Sequence, residues 1–230
     1  MNVRTLAWDS SFFGFPVEKI TISNLQSEYG LLRDVIEKSS AKVIYIFTPA
    51  SVPHEQTSIL SKLGAIKYDT KTVFEKITKC RGVSDEITRA KSLTPEIEEL
   101  AYAAGWNSRY NIDPLFHPYF KKLYKTWIKK SFDEPDTIVL AYCKNGNVVG
   151  MITLSCMETI GEIGLFAVSK EFRGGGIGRK LLDAANVSCF TQNKKKCRVT
   201  TQYENVAACN LYLDAGYKVV SQESVWHLWK

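Results

Sequence analysis

Residues Arg173 to Arg179 read Arg-Gly-Gly-Gly-Ile-Gly-Arg, a glycine string held between two guanidinium groups. A glycine-rich turn that opens a helix leaves backbone N–H groups without intrahelical acceptors, and the helix dipole adds partial positive charge at that end. Arginines on either side add forked donors for phosphate oxygens. The combination suits a pyrophosphate. Arg173, Gly174, Gly175, Gly176, Ile177, Gly178 and Arg179 are therefore expected to hold a phosphorylated co-substrate. Downstream, Asn205 and Tyr212 stand seven residues apart. That is close to two helical turns, so one helix can present both to a single cleft.

The elements that must position these residues are legible around them. The short apolar run Glu162 to Val168 reads as a strand entering the turn. From Ile177 to Phe190 the spacing of Ile177, Leu181, Leu182, Ala185 and Cys189 predicts a helix with one apolar face. A basic loop, Asn193 to Lys196, leads to a strand, Cys197 to Gln202. Asn205 is a good N-cap for a helix over Val206 to Ala215, with Gly216 at C′ and a further strand over Tyr217 to Val220.

Two other phosphate cradles are excluded by the same residues. A P-loop ends in Gly-Lys-Ser/Thr, whereas Gly178 is followed by Arg179 and Lys180, with no hydroxyl for magnesium. A dinucleotide fingerprint needs a glycine where Arg179 stands, near the start of a long doubly wound domain. The pattern Arg173-x-x-Gly176-x-Gly178, followed by a helix, a strand, Asn205, Tyr212 and Gly216-Tyr217, instead resembles the GCN5-related N-acetyltransferase (GNAT) superfamily.

The resemblance implies an α/β GNAT fold, a mixed, mostly antiparallel central sheet flanked by helices, with acetyl-CoA as co-substrate and no metal. It implies that the backbone N–H groups of Phe166 and Val168 meet the thioester and pantetheine where this strand splays from its neighbour. It also implies that Asn205 contacts the pantetheine arm and that Tyr212 is the general acid. A phenol with a pKa near ~10 is protonated at pH 7 and can serve a thiolate whose conjugate acid lies near ~8.5.

Residues 1–90 carry their own order: strand (Val3 to Trp8), strand (Val17 to Ile22), helix (Leu25 to Lys38), strand (Lys42 to Phe47), helix (His54 to Leu63) and strand (Lys67 to Ile77). This β-β-α-β-α-β run fits a smaller N-terminal α/β lobe. A polar linker over Arg81 to Lys91 would separate it from the catalytic domain at 91–230, which opens with a helix over Pro95 to Ala104. The string Trp8-Asp9-Ser10-Ser11-Phe12-Phe13-Gly14-Phe15 reads as a hydrophobic plug for that lobe.

Further along, Phe116, Phe120, Leu123, Tyr124, Trp127 and Ile128 follow helical spacing with lysines on the opposite face, capped by Asp113-Pro114. The loop before it offers Arg109 for a diphosphate, and Tyr110 or Trp106 for stacking on a base or pyranose. Trp8 to Gly14, Ser108-Arg109-Tyr110, Tyr124-x-x-Trp127-Ile128 and the ending Val225-Trp226-His227-Leu228-Trp229 together resemble a narrower group, the dTDP-fucosamine acetyltransferases. That group implies a dTDP-linked 4-amino-4,6-dideoxy sugar as acceptor, in surface polysaccharide biosynthesis. It also implies an acidic residue near Asp69 as general base, a role that Glu75, Glu162 or a water chain would also fill.

Composition sets the remaining bounds. With 230 residues and 45% hydrophobic content the chain can bury a full core. A net charge of +6 favours anionic partners. Its lysines are dispersed, and the densest run, Lys194 to Lys196, is three long, so nucleic acid is not expected. Cys80, Cys143, Cys156, Cys189, Cys197 and Cys209 form no Cys-x-x-Cys pair and read as free thiols of a reducing, cytoplasmic compartment. No apolar run is long enough for a bilayer, so no membrane partner is expected, while a homodimer is allowed. Two readings compete with the sugar acceptor: a small amine, antibiotic or protein N-terminus, and an acyl-CoA-binding module without turnover.

Overall fold

A computed structural model describes residues 1–79, 82, 84–156 and 159–230, apart from the side chain of His54. Cys80 and two residues of the expected linker, Arg81 and Val83, lie outside the described residues. The chain forms two compact units, one built from 1–71 and 222–230 and the other from 72–221. The chain crosses between them inside two strands, β4 (Ile66–Ile77) and β10 (Lys218–Trp229). The sequence suggested a boundary at residues 90 and 91 because a polar stretch is the usual mark of a linker. A strand that runs on from one unit into the next leaves no such mark.

The first unit holds β1 (Asn2–Thr5), α1 (Ala7–Phe13), β2 (Val17–Thr21), α2 (Leu25–Lys38), β3 (Val43–Pro49) and α3 (His54–Lys62). Its strands order β1-β2-β3-β10, with β2 and β3 parallel and the other pairs antiparallel. Ile20, Ile44, Ile46, Trp226 and Leu228 on one sheet face meet Leu25, Leu32 and Leu60 of the helices. Asn24 caps α2 by accepting from Ser27 N–H.

One sequence expectation fails here. Residues 7 and 8, expected to end the first strand, instead open a helix over Ala7–Phe13 closed by Gly14 at φ 79°. Ser10 decides it: its hydroxyl donates to Leu6 O and accepts from Val17 N–H, folding the segment back on itself. The added helix turns the expected β-β-α-β-α-β order into β-α-β-α-β-α-β. The aromatic string is also less of a plug than expected, since Phe13 is buried but Trp8 is 42% exposed, stacked on Phe12.

The second unit holds β5 (Ile87–Arg89), α4 (Pro95–Ala104), α5 (Arg109–Ile112), α6 (Phe120–Asp133), β6 (Thr137–Lys144), β7 (Asn147–Ser155), β8 (Ile160–Val168), α7 (Ile177–Thr191), β9 (Lys196–Gln202) and α8 (Val206–Asp214). Its strands order β4-β9-β8-β7-β6-β5, antiparallel from β5 to β8 and parallel between β8 and β9. Asn145-Gly146, both at positive φ, make the tight turn of the β6–β7 hairpin.

Alternation along these strands separates two cores. Val139, Met151 and Ala167 pack with Ile97, Leu100, Ala101 and Ile128 of α4 and α6. Leu140, Ile152 and Leu154 pack with Leu181, Leu182, Ala185 and Cys189 of α7 and Tyr212 of α8. The helix expected to open at Pro114 begins at Phe120. Asp113 instead accepts from Leu115 N–H and holds a turn, and a 3-10 turn over His117–Tyr119 follows.

Cys156, Cys189, Cys197 and Cys209 are buried and free, and Cys143 is half-buried and free. The fit is tight around one of them: a Cβ at Gly161 would lie 2.1 Å from Cys189 Sγ. Gly161→Ala is expected to destabilise the protein by about 1–3 kcal/mol. Pairing it with Cys189→Ala should recover most of that loss in a denaturant titration.

Candidate active site

The strand β8 is set by its neighbours on both sides. Towards β7 the register shifts between Ile152 and Leu154, and the Thr153 hydroxyl accepts the Leu165 N–H at 2.8 Å. Gly164 is needed at this bulge, because a Cβ there would sit 2.8 Å from Thr153 Oγ1. Further on, Ser169 N–H donates to Val149 O. Leu165 and Ser169 thus turn their N–H groups to β7, and the alternation of an antiparallel pair turns those of Phe166 and Val168 to the other side. On that side the ladder with β9 runs from Ile160↔Lys196 to Ile163↔Val199. Both strands continue past its end, β8 to Val168 and β9 to Gln202. The strands therefore diverge where the N–H groups of Phe166 and Val168 point.

The glycine loop follows directly. Gly174 and Gly176 hold φ of 80° and 78°, backbone that a side chain would strain. Gly176 is the N-cap of α7 and brings no side chain to its first turn. The N–H groups of Ile177, Gly178 and Arg179 thus lack intrahelical acceptors. A Cβ at Gly175 would find Phe172 O at 3.7 Å, and those at Gly174 and Gly176 would meet nothing within 4 Å, so the loop backbone is open to a ligand.

The flanking cations are partly occupied. Arg173 Nε donates to Val168 O at 3.0 Å and closes the loop onto the strand end. Arg179 is turned along its helix, donating to Asp183 Oδ2 and to Asp214 O of α8. Next to it, Lys180 binds Glu86 at 2.6 Å, and with Ser84 it holds that carboxylic acid at about 2. The groups this loop leaves open are therefore its backbone N–H groups more than its side chains.

The helix α8 packs against this point. Asn205 Oδ1 accepts from Ala208 N–H at 3.3 Å and caps it. Gly178 lets α7 approach, since a Cβ there would lie 3.0 Å from Leu211 Cδ2 and 3.5 Å from Phe166 Cζ. The Tyr212 ring lies among Phe74 (5.4 Å), Tyr217 (6.1 Å) and Phe166 (6.3 Å), measured between centroids. Burial, and secondarily the Cys209 thiol, push its phenol well above the usual range. Its hydroxyl has no hydrogen-bond partner among the described residues, yet it is not one of the enclosed, unpaired polar atoms, as Tyr217 Oη is. Phe166, Gly178 and Tyr212 are thus brought together by three elements, and Asn205 caps the helix that carries Tyr212. Thr153, Gly164 and Leu211 join them; of these only Gly164, a glycine inside a strand, carried a sequence signal.

The remaining expected residues are placed as follows. Asp69 is 3% exposed, in the part of β4 that belongs to the first unit. Two rival bases are engaged in the second unit. Glu75 is bound by Lys196 and by Arg198, which together hold its carboxyl below the ordinary range, and Glu162 pairs with Arg198 at 3.2 Å. A depressed carboxylate stabilises the fold above its unfolded pKa, and the effect is lost as pH falls through the folded value. Glu75→Gln should accordingly cost about 1 kcal/mol at pH 7 and flatten the loss of stability below pH ~4.5. Thermal unfolding across pH measures this.

Arg109 and Tyr110, expected on a loop, begin the short helix α5. Arg109 Nη2 donates to Tyr110 Oη at 2.7 Å, with its guanidinium 4.5 Å from the ring centre. Tyr110 is buried against Phe116 and Trp127, whereas Trp106 is 67% exposed. No helix of the described residues is long and apolar enough to cross a membrane, and they hold no group of three or more His, Cys, Asp or Glu arranged for a metal ion.

Known proteins resemble this chain in sequence and in fold. The sequence profile of the acetyltransferase (GNAT) family matches residues 102–217, half of the chain. The dTDP-fucosamine acetyltransferase of Escherichia coli O6:H1 (strain CFT073) is 26% identical over 229 residues, covering 96% of this chain and 95% of that protein. Among solved structures, a conserved protein of unknown function from Staphylococcus epidermidis superposes with a TM-score of 0.62 at 15% identity, over 92% of this chain and 83% of its own. The PaiA N-acetyltransferase of Thermoplasma acidophilum, solved in complex with coenzyme A, gives 0.50 at 17% identity over 63% of this chain and 99% of its own.

Proposed function

The chain belongs to the acetyltransferase (GNAT) family, and from that membership we propose that it N-acetylates a dTDP-linked 4-amino-4,6-dideoxy sugar, with acetyl-CoA as donor, in the biosynthesis of a surface polysaccharide. The donor follows from the family, and the residues present fit it: an open glycine loop, unfilled N–H groups at the start of α7, and strands that part beside Phe166 and Val168. The acceptor rests on one observation, the nearly end-to-end likeness to a dTDP-fucosamine acetyltransferase.

Acetyl transfer to an amine needs a neutral nucleophile, donors for the developing oxyanion and a proton for the departing thiolate. In this proposal the amine attacks the thioester directly. The loop N–H groups of 174–179 and Arg173 hold the pyrophosphate. The N–H groups of Phe166 and Val168 orient the thioester end, and Asn205 adds a contact to the pantetheine arm. Tyr212 donates the proton to sulfur. Its raised pKa keeps the phenol protonated throughout the neutral range, as an acid requires. Arg109 takes the diphosphate of the sugar nucleotide, with Tyr110 in support, and Asp69 removes the proton of the ammonium.

A panel of dTDP-4-amino-4,6-dideoxyhexoses, unlinked amines and peptides tests the acceptor, with free thiol and product mass as readouts. Turnover confined to the nucleotide-linked sugars is expected. Turnover of unlinked amines alone would replace the sugar by a small-amine acceptor, and no turnover with any member would leave a binding module. Asp69→Asn is expected to remove the acidic limb of the pH profile of kcat/KM; an unchanged limb would take the base role from Asp69.

A further inference from the structure

A second hollow lies within the unit 72–221, on the side of α8 away from its cap. Its volume is about 530 Å³, in the range of small-molecule sites. Ile77 and Val220, 68% and 51% exposed, line it together with Ala215 and Gly216, which end α8. Large aliphatic side chains this open, gathered in one concavity, are a surface that an apolar ligand would cover.

The charges around it do not cancel. Of the two acids at its wall, Glu75 is already neutralised by Lys196 and Arg198. Lys76 Nζ and Arg179 Nη1 donate to the carbonyls of Ala215 and Asp214, which fixes the helix end, and Arg179 is also paired with Asp183. Lys79 and Lys218, also at the wall, form no ion pair among the described residues. Solitary surface lysines are ordinarily just solvated. Here Lys79 and Lys218 line the same hollow as Ile77 and Val220, so the head and the body of a ligand both have a place.

We propose that this hollow, which adjoins the end of the glycine loop at Arg179, binds a phosphate monoester carrying an apolar body, as a ligand other than the donor. A phosphate monoester matches the pair of unspent cations in charge and offers oxygens to both. The body lies on Ile77 and Val220. This reading does not depend on the identity of the acceptor sugar.

The test is an amide-shift titration of the ¹⁵N-labelled full chain with octyl phosphate. Saturable shifts are expected at Ile77, Ala215, Gly216 and Val220. The double variant Lys79→Gln/Lys218→Gln should weaken the affinity by roughly tenfold or more. Ile77→Ser, a change at an exposed side chain, should weaken it independently while leaving the unfolding temperature in place. Octanoate or inorganic phosphate binding as tightly as octyl phosphate would overturn the proposal. So would unchanged affinity in these variants, or displacement of octyl phosphate by coenzyme A, which would make the hollow part of the donor site.

Discussion

Replacing Tyr212 by phenylalanine is expected to lower kcat by roughly 10²–10⁴ with the fold intact. The ring packs among Phe74, Phe166 and Tyr217, and phenylalanine keeps every one of those contacts. What goes is the hydroxyl, which has no hydrogen-bond partner among the described residues, so its removal orphans no buried group there. Stability and the KM for acetyl-CoA should therefore stay near the wild-type values while kcat falls. The pH profile sharpens the test. Since burial raises the phenol, the wild-type kcat should show no alkaline fall within the ordinary tyrosine range. An acetyl donor whose thiol is more acidic than that of coenzyme A should recover turnover in the variant, because a better leaving group needs less protonation. Equal turnover by the variant and the wild type would assign Tyr212 to packing alone.

The second large effect is expected at the loop. Gly176→Val should raise the KM for acetyl-CoA by about tenfold or more, through conformation rather than collision. A Cβ at Gly176 would meet nothing within 4 Å, so there is room for a side chain. The backbone is the obstacle: at φ 78° a branched residue costs roughly 1–2 kcal/mol, and the loop relaxes by turning its amides away. Gly176 O also accepts Lys180 N–H, so the first turn of α7 would loosen with it. Gly178→Ala makes an instructive pair, because its Cβ would press Leu211 at 3.0 Å and shift α8 rather than the loop. Initial-rate kinetics should show a KM effect for the first and a kcat effect, through Tyr212, for the second. The opposite pattern would reverse the assigned roles of loop and helix.

Local chemistry made much of the second unit readable. The apolar spacing of Ile177 to Cys189, the cap at Asn205 and the glycine at 216 each mark a helix end or face by rules that act over a few residues, and α7 and α8 stand where those rules put them. The same rules misplace the segment 7–13. Only its first two residues read as strand and the rest as a turn, whereas backbone bonds from Ser10 to Leu6 and from Gly14 to Ser10 make it a helix, which the Ser10 hydroxyl ties to Val17. They also misplace the start of α6, because Asp113 was spent on a tight turn instead of on the helix. The linker was sought in polar composition, whereas the chain passes between its units inside β4 and β10.

For the site, the glycines, Asn205 and Tyr212 were visible in the sequence because each is a residue type that a backbone conformation, a cap or a proton transfer specifically requires. What they face was not. The direction of the Phe166 and Val168 amides depends on which residues pair with β7, and on the bulge that Thr153 and Gly164 create. Where the ladder between β8 and β9 ends is a matter of register between strands distant in sequence. The engagement of Arg179 by Asp214, and of Glu75 by Lys196 and Arg198, is likewise set by residues distant in sequence. The sequence by itself determined the chemistry available, since residue type sets donors, acids and backbone freedom. Only the tertiary structure decided which of those groups are free to use, because pairing and burial are settled between residues that meet only in the fold.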